Sequence, residues 1–194
     1  MKLRYGYESS LVGVWVLSLF LSYLSPAQTA VGDMGATEGF ENLEWGASIA
    51  QALHVYPDLY FHGYILTREK ETPSRIYYRK NDTDKIYGVP FDSVEYWFKD
   101  DRFYRIVAVL DSNIGPRTLM TQAERSYDTL MDLMKRRYGK PKEYKVSYVT
   151  EYLAVVKEAK WRIRDVSIFL KYNGAAKGDS DRLILTMGKQ GGTS

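Results

Sequence analysis

Apolar positions along this chain follow three different patterns. Near the N-terminus they run almost unbroken: Lys2 and Arg4 precede 11–24 (LVGVWVLSLFLSYL), and Ser25-Pro26-Ala27 follows. From 59 to 110, and again from 144, they come in short stretches rich in Tyr, Ile, Val and Phe, bounded by polar turn clusters, as in half-buried antiparallel strands. Between those blocks Leu119, Ala123, Tyr127, Leu130, Met134 and Tyr138 recur at spacings of three and four, which makes one stripe of a long helix over 117–138.

The ends of that helix are marked. Gly115-Pro116 stands just before it, Gly139 sits where a left-handed C-cap belongs, Pro141 follows, and Lys135-Arg136-Arg137 complement the negative end of the helix dipole. A first, short helix is predicted from Ser48 to Val55, because Ser48 with Gln51 makes a capping box and Pro57 stops the helix. Before it, 40–45 reads as a short strand ending at Gly46. Four strands follow at 59–68, 75–80, 85–98 with a break at Gly88-Val89-Pro90, and 102–110. After the long helix come 144–156, 161–172 and 182–187, with a flexible turn at 173–181. The stretch 151–161 also keeps a helical spacing at Leu153, Val156 and Ala159, but the pairs Val149-Thr150 and Val155-Val156 favour strand. The sum is an α+β domain, a mostly antiparallel sheet with one short and one long helix packed on one face. In 102–110 the alternation puts Tyr104, Ile106, Ala108 and Leu110 on one side and Phe103, Val107 and Val109 on the other, so this strand is expected to be central or part of a dimer surface.

The N-terminal run has the three-part pattern of a secretory signal peptide. A helix over 11–24 would reach about 21 Å, short of the roughly 30 Å hydrocarbon core, and Pro26 stops it from extending. Ser25 and Ala27 supply the small residues wanted before a cut, so cleavage is expected after Ala27, with Ala30 as the second choice. The domain plan is then 1–27 signal peptide, 28–39 flexible leader, 40–188 a single α+β domain and 189–194 a disordered tail. The localisation expected is periplasmic or secreted, with no stable membrane span after cleavage.

Composition narrows the chemistry. The chain has 27 Lys+Arg against 24 Asp+Glu, interleaved along its length, so no clustered basic face suggests nucleic acid. It has no cysteine, which removes thiol catalysis, thiolate metal sites and disulfides; the fold must be held by its core. Its two histidines, His54 and His62, flank Asp58 at spacings of four, but Pro57 interrupts the helix that would align them, so no metal site is expected. The acidic turns 81–84 and 179–181 lack the spaced ligands of a calcium loop. There is no G-x-S-x-G elbow and no phosphate-cradling glycine loop, and neither Asp100-Asp101 nor Glu41 with Glu44 stands out as a catalytic carboxylate pair. No catalytic residue and no cofactor is expected; the sequence leans against an enzyme and leaves the question open. What stands out is aromatic: 17 tyrosines, all but Tyr5, Tyr7 and Tyr23 beyond the cleavage site, with Tyr77-Tyr78 and Tyr96-Trp97 as adjacent pairs on strands. One member of each pair must face away from its neighbour. If Val94, Tyr96 and Phe98 face the core, Trp97 faces out as a candidate contact, unless a helix covers that side.

The pattern Phe40-x4-Trp45-Gly46-x-Ser48, a tyrosine-rich strand block, a helix ending Arg137-Tyr138-Gly139-Lys140-Pro141 and a strand opening at Trp161 resembles a class of small exported bacterial α+β domains without an assigned activity. The resemblance covers 40–187, implies export and carries no catalytic residues. The functional expectation is an exported, non-enzymatic binding or interaction module of the bacterial envelope, contacting an envelope protein or a small ligand through Tyr77, Tyr78, Tyr96 and Trp97. Two alternatives stand beside it: a small-molecule or lipid carrier with its ligand between sheet and long helix, and a hydrolase of unrecognised type.

Overall fold

The computed structural model describes residues 35–66, 73–80, 85–112, 120–149, 154–174 and 180–189. The expected signal segment 1–27, the acidic turn 81–84 and most of the expected tail, 190–194, lie outside them. In chain order the elements are β1 (Gly39–Phe40), β2 (Leu43–Glu44), α1 (Ile49–Val55), β3 (Leu59–Ile65), β4 (Ser74–Arg79), β5 (Lys85–Ile86), β6 (Val89–Pro90), β7 (Ser93–Lys99) and β8 (Arg102–Ser112), then α2 (Gln122–Tyr138), β9 (Glu143–Val149), β10 (Ala154–Ile163), β11 (Val166–Gly174) and β12 (Asp181–Lys189). Eight strands form one antiparallel sheet in the order β3-β4-β7-β8-β12-β11-β10-β9, while β1-β2 and β5-β6 are separate two-stranded hairpins. The expectation of an α+β fold built on an antiparallel sheet holds, and sheet dominates it.

The order helix, then four main strands, occurs twice: α1 with β3, β4, β7 and β8, and α2 with β9 to β12. Each half places its last strand in the middle, where β8 pairs with β12, and its first strand at an edge. The two edges are therefore β3 and β9.

Local chemistry accounts for the helix limits. The Ser48 hydroxyl accepts from the Gln51 N–H while the Gln51 side chain accepts from the Ser48 N–H, the reciprocal capping box read from the sequence. Helix α2 begins at Gln122 rather than at Arg117, because Thr121 caps it by accepting from the Glu124 N–H. It ends at Gly139, whose φ of +80° is a conformation that side-chain-bearing residues rarely adopt.

Three turns were not legible. The stretch 144–156 is not one strand: β9 ends at Val149 and β10 starts at Ala154. Likewise 161–172 folds back on itself after Ile163, through Arg164 at a φ of +56°, so Trp161 closes β10 and β11 begins at Val166. The stretch 40–45 is also a hairpin, turning at Glu41 with a φ of +54°. The break expected at Gly88 falls at Tyr87-Gly88, leaving Val89-Pro90 as a short strand of its own.

Packed structure also reaches back before Phe40, so 35–39 belong to the fold rather than to a flexible leader. Ala36 is buried and its carbonyl accepts from the Trp45 indole N–H at 2.7 Å. Gly39 pairs with Glu44 so closely that a Cβ there would lie 2.3 Å from the Leu43 carbonyl oxygen. At the other end, Lys189 is still part of β12 and pairs with Val166, so the ordered strand runs one position into the expected tail.

One side of the sheet carries the core. Val94, Tyr96 and Phe98 of β7, Ile106, Ala108 and Leu110 of β8, Leu183, Leu185 and Met187 of β12 and Ile168 and Leu170 of β11 are all buried. Helix α2 lays Ala123, Tyr127, Leu130 and Met134 against β8, β12, β11 and β10. A bulge overturns the face expected for Phe103. Phe98 pairs with Phe103 and Trp97 with Arg105, so Tyr104 is the extra residue. Phe103 thereby joins the core side, where it stacks on Trp45 at 4.8 Å, and Tyr104 moves to the opposite side.

Candidate functional site

Strand alternation divides the four aromatic candidates into two pairs. Tyr77 pairs with Tyr96 across β4 and β7, and both point into the core, where Tyr77 meets Phe98 at 5.3 Å and Tyr96 meets Tyr56 at 5.7 Å. Tyr96 is only 1% exposed and serves packing. Tyr78 and Trp97 are on the other side.

There they share one carboxylate. Glu95, two positions from Trp97 and hence on the same face, accepts from the Tyr78 hydroxyl at 2.7 Å through one oxygen and from the Trp97 indole N–H at 2.7 Å through the other. The Arg105 guanidinium lies over the Trp97 ring at 5.4 Å and over the Tyr104 ring at 5.2 Å. The Tyr104 hydroxyl in turn bonds the Ser74 hydroxyl at 2.8 Å. Trp97 faces away from the core, as alternation requires, but it is 8% exposed rather than open, because these neighbours enclose it. Burial and the Glu95 carboxylate push the Tyr78 phenol above its ordinary ionisation range.

The exposed aromatic surface begins one strand further out. Tyr60 stacks on Tyr78 with ring centres 6.1 Å apart, and His62 meets the same ring edge-on at 4.7 Å. A second bulge, between Phe61 and Gly63, breaks the register of β3 against β4, and Phe61 and Tyr64 meet at 4.9 Å. Tyr60, Phe61, Tyr64, Ile65 and Leu66 are all exposed. The other edge is similar, with Tyr144, Val146, Tyr148 and Val149 of β9 open to solvent. Such runs of large apolar side chains on sheet edges mark contact surfaces.

No protein family, curated protein or solved structure matches the chain.

No group of three or more His, Asp or Glu side chains that could hold a metal ion is formed among the described residues. Asp58 is paired with Arg79 at 3.2 Å, and His54 and His62 are exposed. Under α2, the Asp181 carboxylate accepts from Thr121 at 2.6 Å and from Tyr172 at 2.7 Å, tying the helix start to β12 and β11. Lys157 pairs with Glu124 at 3.0 Å while lying over the Tyr127 and Tyr172 rings. These acids are consumed by local partners.

The edge tyrosines were missed in the sequence, although a signal exists. Tyr60-x3-Tyr64-Ile65 and Tyr144-x3-Tyr148-Val149 are the same short pattern, each a few residues after a helix that stops at a tyrosine, Tyr56 or Tyr138, with a proline between. The pattern alone does not say that both strands lie at sheet edges; only the strand order does.

Proposed function

We propose that the protein is an exported, non-enzymatic interaction module of the bacterial envelope, of the same kind as the small exported α+β domains its sequence resembles. Both helices sit on one side of the sheet, and the aromatic end of the sheet, β3 with β4 and β7, holds a partner protein. The observation that carries this reading is the run Tyr60, Phe61, Tyr64, Ile65 and Leu66 exposed on an edge strand, with Tyr60 stacked on Tyr78 of the Tyr78–Glu95–Trp97 cluster and Phe61 against Tyr77 on the other side of the sheet. Edge strands offer unpaired backbone groups to an extended segment, and flanking aromatics supply contact area at low entropic cost. The space that a carrier would need between sheet and α2 is occupied by Tyr127, Leu130 and Met134 against Leu170, Leu183 and Leu185, each at most 1% exposed.

The test is in-cell crosslinking of the full chain beside its Phe61→Ser/Tyr64→Ser variant. Both positions are exposed, so folding should change by no more than about 0.5 kcal/mol per site. A crosslinked envelope protein recovered with the parent and at least tenfold depleted with the variant is the expected result, and peptide mapping should find the N-terminus at Gln28. Identical partner profiles, or a discrete small-molecule adduct in native mass spectrometry, would overturn the reading. An N-terminus at Met1 would make the protein anchored rather than released.

A further inference from the structure

We infer that β9 is a homodimerisation edge, pairing antiparallel with β9 of a second copy about a two-fold axis through Val146. The inference does not depend on the partner surface at β3. Strand β9 pairs along its length with β10 and is the last strand of the sheet. Its seven residues, about 24 Å of extended chain, run without a register shift and without proline. The other edge is unlike it, since the bulge at Phe61/Gly63 interrupts β3.

What singles out a second copy as the occupant is the symmetry of the strand itself. Tyr144-Lys145-Val146-Ser147-Tyr148 presents the same large side chains when read in either direction from Val146. A two-fold there places Val146 opposite Val146 and each Tyr144 opposite a Tyr148, giving two aromatic cross-strand pairs around a β-branched centre. These three residues are paired with Ala159, Lys157 and Val155 of β10, on the side of the sheet that carries α2, and they are 56%, 37% and 78% exposed. Even positions meet even and odd meet odd, so backbone groups that point outward on one copy meet those that point outward on the other. On the opposite side, Lys145 would face Ser147 and Glu143 would face Val149, so no like charges stand directly opposed. Lys145 also has Glu158 as its neighbour on β10, which offsets the diagonal approach of the two lysines. Pairing β9 with β3 of a second copy would instead leave free edges and propagate into a filament.

The absence of cysteine makes the test specific, because a single introduced thiol is the only one present. In the full chain, Val146→Cys should crosslink to itself in high yield under mild oxidation. Tyr148→Cys should not, since its two copies would be about 14 Å apart along the strands, beyond the roughly 7 Å a disulfide can bridge. A mixture of Tyr144→Cys and Tyr148→Cys chains should crosslink to each other. Light scattering should give a doubled molar mass for the parent at micromolar concentration, reduced to a single chain by Val146→Lys with the melting transition of the monomer retained. A parent that stays monomeric, a mass that grows without limit, or self-crosslinking at Tyr148→Cys equal to that at Val146→Cys would each overturn the assignment.

Discussion

At the scale of single residues, alternation decides more than residue type. Tyr77 and Tyr78 are neighbours with the same chemistry, yet one packs on Phe98 in the core and the other donates to Glu95 on the far side of the sheet. Trp97 has a further distinction, for it is nearly enclosed although no core lies beneath it. Its indole N–H bond to Glu95 and the Arg105 guanidinium over its face make it a structural tryptophan. Trp97→Ala should therefore lower stability by about 3–4 kcal/mol in urea denaturation, as for other enclosed large aromatics, whereas Tyr64→Ser should stay within about 0.5 kcal/mol. Equal effects would mean that Trp97 is a surface contact after all. The residues singled out in the sequence stand on β4 and β7, whereas the exposed rings Tyr60, Phe61 and Tyr64 stand one strand further out on β3, because exposure depends on what stands beside a side chain as well as on which face it leaves by.

Among elements, the helices were the most legible, for their signals are local. Ser48 and Gln51 cap α1 as their spacing implies, and the stripe Ala123, Tyr127, Leu130, Met134 is the buried side of α2. Leu130 is fully buried in it, so Leu130→Asp should cost more than about 3 kcal/mol by placing a carboxylate in the core. Asp132→Ala, two positions on and with a largely exposed side chain, should change the melting temperature little. A Leu130→Asp protein that melts with the parent would sink the assignment of that face. Hairpins were less legible. The turn after Ile163 uses Arg164 at positive φ, which no glycine or proline announces, and so β10 and β11 looked like one strand from Trp161 onward. The bulge at Tyr104 was invisible for a related reason: it arises from pairing with Trp97 and Phe98, which are on another strand.

For the molecule as a whole, tyrosines from several elements act together. Tyr56, Tyr78, Tyr127 and Tyr172 all have phenols raised above the ordinary value, chiefly by burial, reinforced at the first by Glu41, at the second by Glu95, at the third by Tyr144 and Asp128, and at the last by Asp181. A phenol raised in the folded state favours folding while it stays protonated. Its contribution is complete below the unfolded value near pH 10 and is lost as pH rises from there towards the folded value. Urea stability should accordingly be level from about pH 8 to about pH 10 and fall above it, with a shallower fall in Tyr78→Phe. A curve that stays level through alkaline pH would refute the burial of these hydroxyls. If β9 joins two copies, their β3 edges lie at opposite ends of one continuous sheet, and a partner with two docking segments would gain avidity from that spacing.

By itself the sequence determined what depends on neighbours a few residues away: the C-terminal stop and stripe of α2, the capping box of α1, the strand character of the tyrosine-rich segments, the lack of thiol chemistry and the near balance of charge. Hydrogen bonds that cap a helix and the alternation of a strand are set within a turn or two of chain, so they can be read in order. Tertiary structure alone decided which strands stand at the edges, where the bulges fall and which member of each aromatic pair is covered. Those follow from pairings such as β8 with β12, whose residues are far apart in sequence, and the free energy that selects them belongs to the assembled sheet rather than to any segment of it.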